Sequence, residues 1–253
     1  MGANVRIDAD GSVATLTLSR GHGNAINEAL VDALTAACDR VEADPEIRGV
    51  ILAAEGKLFC PGLDLRELIH LDRADMGRMM LKFGECVRRL YALRKPMIAA
   101  LDGHALAGGC VLALTADWRV LAPEVLIGLN EVRVGVPFPF GVAQILRESI
   151  PRTHLEEVAL LGNNYRDEAA VAVGLVHELH PLEDFESYCR SRLEEFVARD
   201  AFAVGLTKQY LRHPVLERIR ETEARHVEEF LDGWFRPETQ SRIRALVASL
   251  DKS

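Results

Sequence analysis

Lys95-Pro96-Met97-Ile98-Ala99-Ala100-Leu101-Asp102-Gly103-His104-Ala105-Leu106-Ala107-Gly108-Gly109-Cys110 is the stretch on which the reading of the fold turns. Pro96 ends the helical pattern before it, and Met97–Leu101 follow as an apolar run without alternation, the mark of a strand buried on both faces. Gly108-Gly109 then opens a helix that runs through Cys110 to Ala116. The same order occurs upstream. The apolar run Gly49-Val50-Ile51-Leu52-Ala53-Ala54 passes through Glu55-Gly56-Lys57 into Phe59-Cys60-Pro61-Gly62-Leu63-Asp64-Leu65. Strand, glycine turn and helix thus occur twice, which implies an α/β fold with largely parallel strands whose C-terminal ends gather ligands.

Outward from these segments, Val5, Ile7, Val13, Thr15 and Thr17 alternate around Asp10-Gly11, the pattern of a hairpin. Asn27 stands as the cap of a helix whose stripe is Leu30, Val31, Leu34, Cys38 and Val41, ending before Asp44-Pro45. A second helix is expected from Met76 to Leu93, and a third strand over Trp118–Ala122 followed by the run Val125–Gly128. Helices follow at about 140–149, 153–161 and 167–173, then one last strand, Leu175–Leu179. Beyond Asp184 only amphipathic helices are read: Phe185–Ala198, Ala201–Leu211, Val215–Phe230 and Pro237–Leu250. The chain therefore divides into a core over 1–199, which holds the site, and a helical region over 200–253. Phe230, Trp234 and Phe235 are expected to bury against the core or another subunit.

The 253 residues are 49% hydrophobic and 27% charged, enough for a sizeable core and too apolar for disorder. A net charge of -8 argues against nucleic acid or an anionic membrane as partner, but leaves room for an anionic substrate met by local arginines. The five cysteines form no C-x-x-C pair and stand at no metal-ligand spacing, so no metal is expected and a reducing compartment is. Met1–Gly11 has neither the apolar run of a signal peptide nor the Arg/Ser-rich pattern of a transit peptide. No stretch reaches the roughly 18 apolar residues of a membrane span. A cytoplasmic location is the expectation.

Glu131 is the candidate for chemistry. It lies in Ile127-Gly128-Leu129-Asn130-Glu131-Val132-Arg133-Val134-Gly135-Val136-Pro137-Phe138-Pro139-Phe140, a carboxylate among apolar neighbours. Gly62 permits a turn that frees the Leu63 N–H, and the N–H of Gly108 stands unpaired at a helix start; two such donors form an oxyanion hole. From spacing alone, tight strand-to-helix packing explains the glycines equally well, and an isolated glutamate is ordinarily solvated. Asp64 reads as a helix cap and Asp117 as the residue fixing the turn into Trp118. Cys60 and Cys110 read as packing residues, and His22 and His104 as structural.

These segments resemble the crotonase (enoyl-CoA hydratase/isomerase) superfamily in Asn24-Ala25-Ile26-Asn27, Phe59–Leu65, Lys95–Gly103 and Ala107–Cys110, in order along residues 5–180. The resemblance implies a spiral of ββα units with a helical C-terminal region for oligomerisation, as a homotrimer or a dimer of trimers. It implies an acyl-CoA thioester substrate, with coenzyme A entering only as part of that substrate and no separate cofactor. By position, the N–H groups of Leu63 and Gly108 hold the thioester oxygen, and Ala25, Ile26, Cys60 and Pro61 line the CoA site. Arg66, Arg73 and Arg78 either meet the CoA phosphates or form a solvated helix face.

The departures bear on the reaction. Family hydratases carry a glutamate three residues past the oxyanion glycine, where this chain has Val111; the second glutamate is retained as Glu131. Their Pro-Gly-x-Gly-Gly run is replaced by Pro137-Phe138-Pro139-Phe140-Gly141. Enoyl-CoA isomerases resemble this chain in Gly-Leu-Asn-Glu followed by Gly-x-x-x-Pro-Phe. The expectation is therefore an isomerase moving a 3-enoyl-CoA double bond to the 2-position, with Glu131 as proton shuttle between C2 and C4. The rivals are a single-glutamate hydratase and a catalytically idle acyl-CoA-binding protein.

Overall fold

The computed structural model describes residues 4–250; residues 1–3 and 251–253, the outer ends of the two expected regions, lie outside the described residues. The chain opens with the expected hairpin. Strand β1 (Val5–Asp10) pairs antiparallel with β2 (Val13–Leu18) around Gly11, whose φ of +58° suits the turn. Helix α1 (Glu28–Ala43) is capped as the sequence predicts, the Leu30 N–H donating to Asn27 Oδ1 at 3.0 Å. There follow β3 (Gly49–Ala54), β4 (Leu58–Cys60), the short α2 (Leu65–Leu68) and α3 (Arg73–Ala92), whose cap is Asp72. The next turn repeats the pattern with β5 (Met97–Leu101), β6 (His104–Leu106) and α4 (Gly108–Leu114). A third brings β7 (Trp118–Leu121), β8 (Ile127–Gly128) and α5 (Phe140–Ser149). Then come α6 (Leu155–Leu161), β9 (Asn164–Tyr165), α7 (Asp167–Ala172) and β10 (Glu178–Leu179). The chain ends in α8 (Phe185–Val197), α9 (Ala201–Trp234) and α10 (Pro237–Leu250).

The strands make two sheets, one ordered β1-β2-β3-β5-β7-β10 and one ordered β4-β6-β8-β9. Three consecutive turns of the chain each carry a strand of the first sheet into a short strand of the second: β3 into β4, β5 into β6, β7 into β8. This is the α/β spiral of ββ units that the resemblance implies. The fully buried run Met97–Leu101 occupies the centre of the larger sheet, between β3 and β7, which explains its lack of alternation.

Two elements differ from the sequence reading. The last strand is confined to Glu178–Leu179, because only these residues pair with β7, while Leu175 and Val176 bury their side chains before it. More consequentially, α9 is continuous through Pro214, where the sequence predicts two helices broken after Leu211. Proline removes one helical hydrogen bond, and here the carbonyl deprived of its partner belongs to exposed Tyr210. Tertiary contacts hold the helix on both sides of that point. Val215 and Ile219 are buried, and Arg212 Nη1 donates to the carbonyls of Tyr91 (2.5 Å) and Thr115 (3.0 Å).

Asp117 is the hub of that attachment. Its Oδ2 accepts the Met97 N–H at 2.7 Å, fixing the turn into β7 as expected, and also receives Lys208 Nζ at 2.5 Å; its Oδ1 receives Arg212 Nη2 at 2.5 Å. Two cations of α9 are thus drawn into the core by one carboxylate at the start of β7.

Candidate active site

Strands β4, β6 and β8 are parallel neighbours, so their C-terminal ends lie side by side. The chain leaves them through Pro61-Gly62-Leu63, Ala107-Gly108 and Leu129-Asn130-Glu131 respectively. The first two turns touch. Gly62 has φ +103°, and a Cβ on it would stand 2.8 Å from the Ala107 Cβ and 3.2 Å from the Gly108 nitrogen. Gly109 is required more strictly, since a Cβ there would fall 2.0 Å from the Cys60 carbonyl oxygen. Between the glycines, Ala107 itself holds φ +48°, a left-handed conformation that alanine rarely adopts.

Backbone pairing sets the direction of the two amides expected to act as donors. The Ile26 N–H donates to the Gly62 carbonyl and the Asp64 N–H donates to the Ile26 carbonyl, both at 2.8 Å. Leu63 stands between these two groups, so its own amide faces away from Ile26. Gly108 is the first residue of α4, where an N–H has no acceptor within the helix. Both residues line one cavity of about 470 Å³.

Glu131 stands on the same cavity, at the start of a short 3-10 turn, Glu131–Val134, closed by Gly135 in the left-handed conformation. The residue is half-buried, but its Oε2 is shut off from solvent and has no hydrogen-bond partner. Burial lifts its pKa from the ordinary 4.5 to about 7, opposed only by a hydrogen bond to its own backbone. Val111, at the position where the hydratases have their other acid, also faces the cavity.

The structure thus brings Glu131, Leu63 and Gly108 together, with Ala25 and Pro61 on the same wall. Ile26 and Cys60, expected on the CoA side, are fully buried behind that wall, because both are used to hold the Leu63 turn: Ile26 through its backbone pairing, Cys60 through an Sγ that accepts the Gly62 N–H at 3.4 Å. Burial pushes the Cys60 thiol up to about 12 and that of Cys110 higher still, so neither is a nucleophile at neutral pH. Of the Pro137–Phe140 run that stands in place of the glycine run, Pro137 and Pro139 line the cavity and Phe138 does not, while Phe140 stacks on His226 with ring centroids 3.9 Å apart. His104 is structural, its Nδ1 accepting the Leu126 N–H, whereas His22 reaches the cavity wall.

Of the three arginines considered for phosphate, Arg66 lines the cavity, Arg73 is tied to Glu228 and Asp232 at 2.7 Å each, and Arg78 pairs with Asp75. Sequence reasoning missed three contributors. Arg20 spans the site's base, 2.8 Å from Asp64 Oδ2 and donating to the Ala25 carbonyl at 2.7 Å, so it joins the loop before α1 to the Leu63 turn. Arg133, exposed, lines the cavity together with Arg66. Phe230 and Trp234 of α9 and Leu246 and Leu250 of α10 supply the far wall, so the C-terminal helices fold over the site. No local pattern foretells that return across roughly a hundred residues. Among the described residues, no group of His, Cys, Asp and Glu is placed to hold a metal ion, and no helix is long and apolar enough to cross a membrane.

Residues 8–239 match the family model described as enoyl-CoA hydratase/isomerase. The chain is 30% identical over 230 residues to the human "Enoyl-CoA delta isomerase 1, mitochondrial", covering 90% of this chain and 76% of that protein. It is 28% identical over 208 residues to the "Short-chain-enoyl-CoA hydratase" of Clostridium acetobutylicum, covering 81% and 80%. The crystal structure of human mitochondrial delta3-delta2-enoyl-CoA isomerase superposes with a TM-score of 0.94 at 28% identity, over 98% of both chains.

Proposed function

The chain belongs to the enoyl-CoA hydratase/isomerase family, and from that premise we propose that it converts a 3-enoyl-CoA to the 2-enoyl-CoA by a proton transfer that Glu131 performs alone. The thioester oxygen is held by the N–H groups of Leu63 and Gly108. Ionised Glu131 takes a proton from C2, and the electron pair moves onto the thioester oxygen in conjugation with the double bond, giving a dienolate that the two amides stabilise. The dienolate then collapses, the proton returns from Glu131 to C4, and the double bond comes to rest between C2 and C3. Nothing is added or lost, so one acid suffices.

One observation carries this reading: Oε2 of Glu131 is buried without a partner on a cavity whose other acid position is Val111. A lone carboxyl with a pKa of about 7 both accepts and returns a proton near neutrality. Activating a water for addition ordinarily takes two acids, and an apolar wall offers that water no second anchor. Arg66 and Arg133 are proposed to meet the CoA phosphates, with Ala25 and Pro61 against the rest of the carrier. The region over 200–253 is proposed to assemble a homotrimer or a dimer of trimers, supported by Phe202, Tyr210 and Leu211 standing about 70% exposed along α9. All five cysteines are unpaired and buried, in keeping with the reducing, cytoplasmic setting proposed for the chain.

Incubation with 3-enoyl-CoA and, separately, 2-enoyl-CoA tests the assignment. Isomerisation without formation of 3-hydroxyacyl-CoA is expected. Fast hydration of the 2-enoyl-CoA would replace it with a single-glutamate hydratase. Binding of both esters without turnover would leave a catalytically idle acyl-CoA-binding protein.

A further inference from the structure

The cavity is polarised. His22, Asp64, Arg66 and Arg133 supply the charged and ionisable part of its lining besides Glu131, while Met80, Phe83, Val142 and Phe230 form an apolar stretch. Behind that stretch lies a second, smaller apolar slot of about 40 Å³. Met80, Phe83, Pro139, Val142 and Phe230 line both spaces, so these side chains are the partition between them. Val87, Ile145 and Ile219 line the slot alone, all of them buried. It ends on polar groups: Arg88 and Glu223, paired at 3.0 Å with side chains only 17% and 19% exposed, and His226, stacked on Phe140.

We infer that the slot receives the distal carbons of the acyl chain and, with its ion-paired floor, sets the longest acyl-CoA this protein binds with full benefit. The inference rests on the acyl-CoA reading above. With the thioester oxygen at Leu63 and Gly108 and carbons 2 to 4 beside Glu131, a chain running away from the charged lining meets the partition next. Met80 is unbranched and adaptable, the kind of side chain that yields to a chain pressing through. A space for one water-sized group takes about 10–15 Å³, so the slot holds about three to four carbons. Longer chains must then press against the Arg88–Glu223 pair, which is held in place: Glu223 packs on Gly84, where a Cβ would stand 2.5 Å from its Oε1, and Arg88 also pairs with Glu85. Burial of a methylene beside that pair gains little, because it removes water from two charges.

The experiment is calorimetric binding of saturated acyl-CoA esters, which cannot turn over, in steps of two carbons from butyryl-CoA upward, to wild type, Val87→Phe and Val87→Ala. Wild-type affinity is expected to rise about fourfold per methylene and then to level off once the slot is full. Val87→Phe adds about four carbons to the slot wall, equal to its capacity, and is expected to level off about three to four carbons earlier, leaving long chains about 60- to 250-fold weaker at unchanged butyryl-CoA affinity. Val87→Ala, the milder change, is expected to move the plateau about one or two carbons later and serves alone if the larger residue unfolds the protein. A plateau that stays in place in the folded variants, or a wild-type series without slope, overturns the slot assignment while the acyl-CoA reading stands. Failure of wild type to bind butyryl-CoA or any longer ester would instead remove the acyl-CoA reading, and the slot assignment with it.

Discussion

Glu131→Gln is expected to lower isomerisation sharply and at the same time to change the protein's stability relative to wild type in a pH-dependent way, the difference moving in the variant's favour as pH rises. In the folded chain the carboxyl titrates at about 7 against an ordinary 4.5, because burial disfavours its charge. A carboxyl with a raised folded pKa leaves stability intact below the unfolded value and removes it progressively as pH rises through the folded value. The full difference, 7 minus 4.5, corresponds to about 3.4 kcal/mol at about 1.36 kcal/mol per pH unit. At pH 5 the cost has reached only about 0.8 kcal/mol, and by pH 8.5 it is essentially complete. Glutamine keeps the shape and never ionises, but its amide is buried without a partner as well, which takes back about 1–3 kcal/mol at every pH. The absolute gain at high pH is therefore small, and the informative quantity is the pH dependence. The stability of the Glu131→Gln variant minus that of wild type is expected to rise by about 2.6 kcal/mol between pH 5 and pH 8.5, read from urea denaturation midpoints. Activity at pH 8 should fall by at least about 10²-fold, the usual lower range for a removed general base. A stability difference that is flat across that pH range would refute a buried, charge-averse Glu131. An unchanged isomerisation rate would refute its role.

On the proposed mechanism the base takes the C2 proton only when ionised, so wild-type kcat/KM for isomerisation is expected to rise about tenfold from pH 6 to pH 8 with an inflection near 7; an inflection near 4.5 would contradict the buried setting. Gly62→Ala forces a Cβ to 2.8 Å from Ala107 at φ +103°, with an expected cost of about 1–3 kcal/mol in stability and a loss in kcat larger than the change in KM, because the Leu63 amide is re-aimed. Steady-state kinetics beside a thermal melt would separate the two effects. Asp117→Ala leaves Lys208 and Arg212 buried without their carboxylate and is expected to cost about 3–5 kcal/mol in urea denaturation, with helix α9 loosened first, as amide hydrogen exchange would report. Equal protection of α9 in that variant and wild type would show that the hub does not anchor the helix.

Legibility in the sequence follows the range of the interaction. The hairpin, the Asn27 cap and the buried strand Met97–Leu101 rest on near neighbours, and their residues state them. The glycine turns are readable as turns, and the family resemblance puts Leu63, Gly108 and Glu131 in one place, where they stand. Cys60 and Ile26 lie one layer deeper than the sequence reading has them, since sequence position does not tell which side of a wall a side chain takes. The sequence breaks helix α9 at Pro214 because proline's local cost is visible there, whereas the Asp117 anchor lies about a hundred residues away. The far wall of the cavity, from Phe230 to Leu250, is hidden for the same reason: long helices report only an apolar face, never what it meets. Arg20 has no motif at all, and its reach to Asp64 exists only once two loops are folded together.

The turns carrying Leu63, Gly108 and Glu131 leave the ends of three strands that are joined in one ladder. Strands in a ladder lie about 4.8 Å apart whatever side chains they carry. The spacing between the three turns is therefore metered by backbone hydrogen bonds, as teeth on a gear are set by the wheel. Side chains on the same frame are free to be exchanged, an acid for Val111 or a glycine run for Pro137–Phe140, without re-aiming the donors. One scaffold can in this way pass between adding water and moving a proton by a change of lining, and sequences that share under a third of their residues can keep the same chemical ruler.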